Sequence, residues 1–460
     1  MIRHCSRLSW LPAFAALLGI AAFVSHECGA RDTNGLLAER AGARDRGGLR
    51  GGAYGPVMPV LPGARSLRVA LWTTGLPGEA ELYDDIAREF ERKVPEAQVV
   101  QAKGTWGEDT QKVIFYELTA QRGPADIVLL RDAWLPEVAD ELLSLDAALA
   151  TTARKGYPEA ALAACSVDGS LRGLPFCART KCLYYRPALL RKLQLKPPRT
   201  WDELPGVAQK LATEPGVWGF GLPAAPSPDS AELLLLILWA AGGELVDDEG
   251  RLVVGRELLE AVKLCTDLVH VAHATQPQAC LWTQDALDKK FLAGQLGMLI
   301  AEPALARHLA MRKPKLDYAV APLPKWRTQA TRLSVDCLAV SARSPQPGLA
   351  LQFLRHATQD RFAAQMCRVG LLPAKASVGR DPALAVFLAS LQYARALPVQ
   401  LWPAAWPYLA NVLVETLMGR KSPEAALVDL LPPDIPSVVL LQQPTPEPEE
   451  ETPESTAGEP

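Results

Sequence analysis

Asp132 and Trp134 lie two and four residues after the strand-like run Pro124 to Leu130. A carboxylate beside an indole suits a polyol. The flat ring covers an apolar sugar face, and the charged group takes hydroxyls through short, strong hydrogen bonds. Asp132 would serve equally as the N-cap of the next helix. Thr73 and Thr74 close the run Leu67 to Leu71 and offer hydroxyls and backbone amides to a ligand, or form a simple turn. Glu302 follows the run Leu296 to Ala301 and could accept from hydroxyl groups. Eleven tryptophans supply ring faces. Trp239 sits in an apolar helical run, Leu233 to Ala241, which also fits core packing; Trp106 opens a segment read as helical and is the weaker candidate.

These residues need elements to hold them. Glu79 to Arg92 reads as an amphipathic helix with Leu82, Ile86 and Phe90 on one face. Val99 and Val100 mark a strand. Thr105 to Ala120 reads as a helix with Thr105 as its cap. Strand signals return at Leu296 to Ala301, Tyr318 to Ala321 and Val335 to Val340, followed by a helical stretch from Gly348 to Arg368. Strands alternating with helices predict parallel βαβ units. Open α/β sheets bind ligands at the carboxyl ends of their strands, which is where Thr73, Thr74, Asp132, Trp134 and Glu302 fall.

The chain has 460 residues, which predicts two domains. Its formal net charge of -3 carries no basic stripe for nucleic acid. Arg3, Arg7, the apolar stretch Leu11 to Val24 and the small residues Cys28-Gly29-Ala30 read as an export signal over residues 1–30. Cys28 is alternatively a lipidation site, although Glu27 fits that pattern poorly, so a cleaved and an anchored form both stay open. Residues 31–66, rich in Gly, Arg, Ala and Pro, read as a linker. Gln443 to Pro460, with six Glu, five Pro and no Lys or Arg, reads as a disordered acidic tail. Seven of nine cysteines follow the leader, an odd number without metal-ligand spacing, and are expected as buried free thiols. No dinucleotide fingerprint, phosphate-binding lysine loop or nucleophile elbow is present, and His270 and His273 lack a zinc-protease context. No cofactor and no metal are expected.

The stretch Gly173-Leu-Pro-Phe-Cys-Ala-Arg-Thr-Lys-Cys-Leu-Tyr-Tyr-Arg-Pro, running on to Thr200-Trp-Asp-Glu-Leu, resembles the hinge of bacterial extracellular solute-binding proteins of family 1, the sugar-type receptors of ABC importers. Further blocks carry the resemblance: Arg68-Val-Ala-Leu-Trp-Thr, Gly123-Pro-Ala-Asp-Ile-Val-Leu-Leu-Arg-Asp-Ala-Trp-Leu, Trp239-Ala-Ala-Gly-Gly-Glu-Leu, Phe291-Leu-Ala-Gly-Gln-Leu-Gly-Met, Tyr318-Ala-Val-Ala-Pro-Leu-Pro and Gly370-Leu-Leu-Pro-Ala. It extends from about 67 to 432. It implies an α/β, two-lobed periplasmic-binding-protein (type II) fold with discontinuous lobes. Lobe 1 would hold 67–176 and 337–385, lobe 2 would hold 182–332 and 386–432, and 433–460 would be tail.

Crossover strands near Cys177 to Lys181 and Leu333 to Cys337 would form the hinge. Arg179 would then lie between the lobes and pair with a ligand or with Asp336. A bridge between Cys177 and Cys337 would stiffen that hinge. Relatives place an aromatic platform before the helix Leu409 to Met418, which singles out Trp406 over Trp402. Ala304 stands where many sugar-binding relatives carry tryptophan.

The resemblance implies a non-enzymatic, exported receptor, in the periplasm or on the cell-envelope surface, with an N-terminal segment able to anchor it. It would act as a monomer, bind a small molecule of carbohydrate type by hinge closure, and hand it to an ABC permease. Two alternatives belong beside it: a receptor that presents ligand to a membrane sensor, and an exported glycosidase using Asp132 and Glu302.

Overall fold

The computed structural model describes residues 65–106, 110–119, 125–149, 154–375, 382–398 and 401–441. The export segment, Cys28, nearly all of the linker and the acidic stretch from Gln443 lie outside the described residues. In chain order the strands are β1 (Arg65–Thr73), β2 (Ala97–Thr105), β3 (Ile127–Arg131), β4 (Ser166–Val167), β5 (Ser170–Leu171), β6 (Leu174–Arg179), β7 (Cys182–Tyr185), β8 (Trp218–Gly221), β9 (Leu252–Val254), β10 (Leu296–Ala301), β11 (Ala319–Ala321), β12 (Thr331–Val340), β13 (Leu372–Pro373), β14 (Ala394–Ala396) and β15 (Ser437–Val439).

Two main sheets result. A seven-stranded sheet runs β13-β6-β12-β3-β1-β2, with β14 paired to β12. A four-stranded sheet runs β11-β7-β10-β8. β1 lies parallel to β2 and β3, whereas β12 runs antiparallel to β3 and β6. The parallel strands β1 and β3 read as near-continuous apolar runs because helices cover both faces of such sheets. On the helix Glu79–Lys93, Leu82, Ile86 and Phe90 turn inward at four-residue spacing, and Phe90 meets Phe353 edge to face at 5.2 Å.

Each sheet has its own core. Leu67, Ile127, Leu130, Phe176, Val335 and Phe353 belong to the first. Leu183, Trp201, Phe220, Leu234, Met298 and Tyr408 belong to the second, which a smaller cluster around Tyr184, Phe291 and Phe387 extends. Leu384 packs with Phe387 in that extension, so the helix Pro382–Ser390 spans the expected boundary between 385 and 386.

The lobes are joined where β6 passes through Thr180 and Lys181 into β7, and where the chain returns along β12. The two crossings are tied together. The Thr331 hydroxyl accepts from the Lys181 amide at 3.3 Å and donates to the Lys181 carbonyl at 2.7 Å. The Thr180 hydroxyl donates to it at 3.1 Å.

Several local expectations shift. Thr105 ends β2 instead of capping a helix, and the next helix begins at Thr110. The stretch read as one helix from Gly348 to Arg368 is Pro347–Ala357 and Ala363–Val369, separated by a tight turn at Asp360–Phe362. Trp402 and Trp406 lie inside the helix Trp402–Leu417, not before it. Pro403 occupies the first turn, where its missing N–H costs little, and the helix also carries Pro407 in its interior.

The cysteines from 165 onward are free thiols, and all but Cys280 are buried. Cys177 faces its neighbour on β12, Asp336, with Sγ 3.6 Å from Oδ2. Cys337 lies one step further, opposite Pro175, and its thiol instead neighbours Cys165. The bridge between Cys177 and Cys337 is therefore not formed.

Candidate functional site: a polar cavity between the lobes

A cavity of about 430 Å³ opens where the two lobes face each other. Thr74, Leu76, Trp106 and Arg131 line it from the first lobe, Arg179 and Lys181 from the crossing strand, and Asp285, Asp288, Glu302 and Ala304 are among its second-lobe residues. Gly370 closes one side. It ends the helix Ala363–Val369 at φ 88°, and a Cβ there would meet Arg307 Cβ at 3.1 Å. A side chain at 370 would thus be strained and would press against the second-lobe helix Pro303–Met311.

The first-lobe wall follows from strand ends. The Trp106 amide continues the β1–β2 pairing by donating to the Thr73 carbonyl at 2.9 Å. This fixes the indole in a cluster with Trp72 at 6.0 Å and Trp134 at 5.6 Å. The Arg131 guanidinium, at the end of β3, lies 4.8 Å from the Trp106 ring centre and 5.5 Å from that of Trp134. Such cation–π contacts strengthen when water is excluded.

Beneath the turn after β1, the buried Glu79 carboxylate accepts from the Thr74 amide at 2.7 Å and hydroxyl at 2.8 Å. It also accepts from the Tyr83 hydroxyl at 3.0 Å. Burial raises the Glu79 carboxyl above its ordinary range, and the Thr74 bonds pull it back. With its proton committed to Glu79, the Thr74 hydroxyl offers the cavity acceptor lone pairs.

Around the crossing strands lies a buried charge network. Arg179 reaches Asp336 at 2.9 Å and donates to the Ser334 hydroxyl at 3.0 Å; Ser334 donates onward to Asp132 at 3.2 Å. Lys181 meets Glu232 at 3.1 Å and Asp229 at 3.6 Å, and Arg332 meets Glu232 at 2.8 Å. Glu302 stands 3.9 Å from Arg179 and 3.8 Å from Arg332. Burial would raise its carboxyl, but Arg179, Arg332 and Lys181 together hold it below the usual range. Burial also opposes the charge on Arg179, yet Asp336 and Glu302 outweigh it and raise the group. Asp132 is different: burial dominates and pushes its carboxyl up despite Arg332 and Arg179. Asp288, bonded by Gln284 at 2.8 Å, is raised to about 7, chiefly by burial.

Of the residues singled out from sequence, Thr74, Arg179 and Glu302 reach this cavity. Thr73 instead spends its hydroxyl on the Gly104 carbonyl at 3.3 Å. Asp132 is buried behind Ser334, and Trp134 backs Trp106. Trp239 is packed in the second core, and Trp406 packs against it. The glycosidase alternative needs Asp132 and Glu302 in one cavity, and only Glu302 lines this one.

Sequence reasoning missed Arg131 and Lys181 and ranked Trp106 low. The signal for Arg131 was present, since it ends the same strand that directed attention to Asp132. Among the described residues no group of three or more His, Cys, Asp or Glu is arranged to hold a metal ion. Among them, too, no helix is long and apolar enough to cross a membrane.

Two lobes, two crossings and a polar cavity between them define the two-lobed fold of periplasmic binding proteins. Solved structures agree. A cyclic α-maltosyl-1,6-maltose binding protein from Arthrobacter globiformis matches with a TM-score of 0.70 at 21% identity, covering 80% of this chain and 97% of that one. The sugar-binding protein of Xanthomonas citri matches equally well, with a TM-score of 0.70 at 20% identity over 80% and 95% of the two chains.

Residues 85–386 match the model of the bacterial extracellular solute-binding protein family, and the chain belongs to that family. A binding protein of Brucella abortus is 27% identical over 320 residues, 66% of this chain and 77% of the relative. The maltotriose-binding protein of Pyrococcus abyssi is 25% identical over 261 residues, 56% of this chain and 53% of the relative. These relatives and structural neighbours are binding proteins, not enzymes.

Proposed function

We propose that this protein is the extracytoplasmic receptor of an ABC importer and captures a sugar or related polyol in the cavity between its lobes. One observation carries the reading: an indole, a threonine hydroxyl, guanidiniums and carboxylates from both lobes converge on one cavity beside the crossing strands. That mixture suits a ligand with apolar ring faces and many hydroxyls. The sugar ligands named for the Pyrococcus and Arthrobacter proteins support the same class.

Contacts to both walls exist together only when the lobes are closed on ligand, so differential affinity for that state drives closure. The ligand-binding side chains are Thr74, Trp106, Arg131, Arg179, Lys181 and Glu302. The receptor works as an exported monomer, and its closed form is what the permease recognises.

The test is thermal shift and calorimetry of the full chain against glucose, maltose, maltotriose, trehalose and their acidic counterparts, with chromatography of the recovered sugar. The expected result is saturable stabilisation by at least one saccharide, recovered intact. No stabilisation by any of them, or release of cleaved product, would overturn the reading.

A further inference from the structure

The cavity's charges are unevenly satisfied. Arg179 has Asp336 at 2.9 Å, and Lys181 has Glu232 at 3.1 Å. Arg131 lines the same cavity, and among the described residues no carboxylate oxygen comes within 4.0 Å of its guanidinium. Its Nε is buried without a hydrogen-bond partner. The contacts it does make are the indole rings of Trp106 and Trp134. Those rings hold the guanidinium flat without using its N–H donors, which leaves the planar fork free for a bidentate acceptor. Burial and the charges of Arg179 and Arg332 disfavour the Arg131 cation, and Asp336 and Glu302 offset them only in part. An anion arriving at that point would counter the burial and the like charges.

The rest of the cavity is polarised the other way. Asp229, Asp285 and Asp288 line it from the second lobe. Asp229 is the looser partner of Lys181, at 3.6 Å. Ionised carboxylates accept hydroxyl protons and repel a second anion, and the Asp288 carboxyl, raised to about 7, joins them as pH rises through that value. The cavity therefore presents a donor fork beside indoles on its first-lobe wall and acceptors on its second-lobe wall. A neutral sugar would satisfy the acceptors and leave Arg131 with only the more distant charges of Asp336 and Glu302.

We propose that the cavity takes a carbohydrate bearing a carboxylate or a phosphate, with that group on Arg131 beside Trp106 and its hydroxyls turned toward Asp285 and Asp288. The proposal rests on the receptor reading and narrows its ligand class. Charge-assisted bidentate bonds to arginine are about twice as strong as neutral ones, so the acidic group should dominate selectivity.

Calorimetry of the full chain against glucose, glucuronate and glucose 6-phosphate, and against maltose and digalacturonate, tests it. The uronate and phosphate arms distinguish the two anions. At least one acidic sugar should bind 10-fold or more tighter than its neutral counterpart. That preference should shrink as salt rises from 50 to 500 mM, while neutral binding stays constant. Arg131→Gln should reduce the preference to within about 2-fold, and Arg131→Lys should keep part of it; tenfold corresponds to about 1.4 kcal/mol.

Neutral sugars binding as tightly as acidic ones, or a preference that ignores both salt and Arg131→Gln, overturns this inference and leaves the receptor reading standing. The wild-type salt dependence decides the matter even if the variants fold poorly. Absence of binding by every neutral and acidic sugar overturns both.

Discussion

Removing the Asp336 carboxylate should destabilise the protein severely, because it would strand a buried cation. Arg179 and Asp336 approach to 2.9 Å with side-chain exposures of 14% and 3%. A surface pair at that distance would be worth about 0–1 kcal/mol. Breaking a buried pair by deleting one partner costs about 3–5 kcal/mol, since the remaining charge is left without compensation. Arg179 keeps Ser334 at 3.0 Å and Glu302 at 3.9 Å, so Asp336→Ala belongs near 3 kcal/mol, the lower end of that range.

For the span 65–441, roughly 380 residues at about 2.1 cal/mol/K each, the unfolding entropy is about 0.8 kcal/mol/K. A loss of about 3 kcal/mol then lowers the Tm by about 4 °C. Differential scanning calorimetry and urea unfolding both read this. The double change Arg179→Met with Asp336→Leu removes both charges and should recover most of the loss, because apolar replacements of buried ion pairs are often neutral. A cost below about 1 kcal/mol for Asp336→Ala, or a double variant as unstable as the single one, would refute the claim that this pair is desolvated.

Trp106→Ala should weaken binding of whichever panel saccharide stabilises the protein most by about 10-fold, about 1.4 kcal/mol, whereas Trp406→Ala, at a residue that packs on the second core and is not among those lining the cavity, should lower Tm and leave affinity within about 2-fold; titration calorimetry compares the two. The Asp288 carboxyl is raised to about 7 in the folded protein against an ordinary value near 3.8. The folded state therefore holds more protons than the unfolded one between those values, and stability should fall as pH rises from about 4 to 7. The full shift would be worth about 4 kcal/mol, discounted to about 2 kcal/mol for its partial exposure. Asp288→Asn should flatten that slope in urea titrations across pH 4–8, and an unchanged slope would count against a buried Asp288. Gly370→Ala places a side chain at φ 88° against Arg307; it should cost about 1–2 kcal/mol and reduce affinity, read by the same calorimetry.

Much of the architecture was legible because it is written in local periodicity. β10 has the bounds read from its apolar run, Leu296–Ala301, and the helix at Glu79–Lys93 needed only its four-residue spacing. The crossing strands were legible only through the family resemblance that the Gly173 to Pro187 block carries. Failures came where a tertiary partner decides. Thr105 looks like a helix cap, but nine residues of β2 pair with β1 and carry it to the strand's end. The helix read from Leu409 begins instead at Trp402, with Pro403 in its first turn and Pro407 within it, so Trp406 lies inside it.

The site was half legible for the same reason. The strand-end rule points to a short segment, not to which of its side chains turns toward the cavity. Asp132 and Arg131 are adjacent; Asp132 turns to Ser334, and Arg131 faces the opening. Lys181 carries no signal of its own in the sequence; its partner Glu232, 3.1 Å away, lies 51 residues further along the chain. Charge networks of this kind join separate segments, and no spacing in one segment encodes them.

Hydrogen exchange read by mass spectrometry on the full chain, with and without saturating maltotriose, digalacturonate or glucose 6-phosphate, tests the central claim most directly. With the sugar that binds, protection should rise together in peptides carrying Thr74, Arg131 and Trp106 from one lobe and Asp288, Glu302 and Ala304 from the other. Protection confined to one lobe, or exchange unchanged by every saccharide, would contradict a receptor that closes both lobes on its ligand.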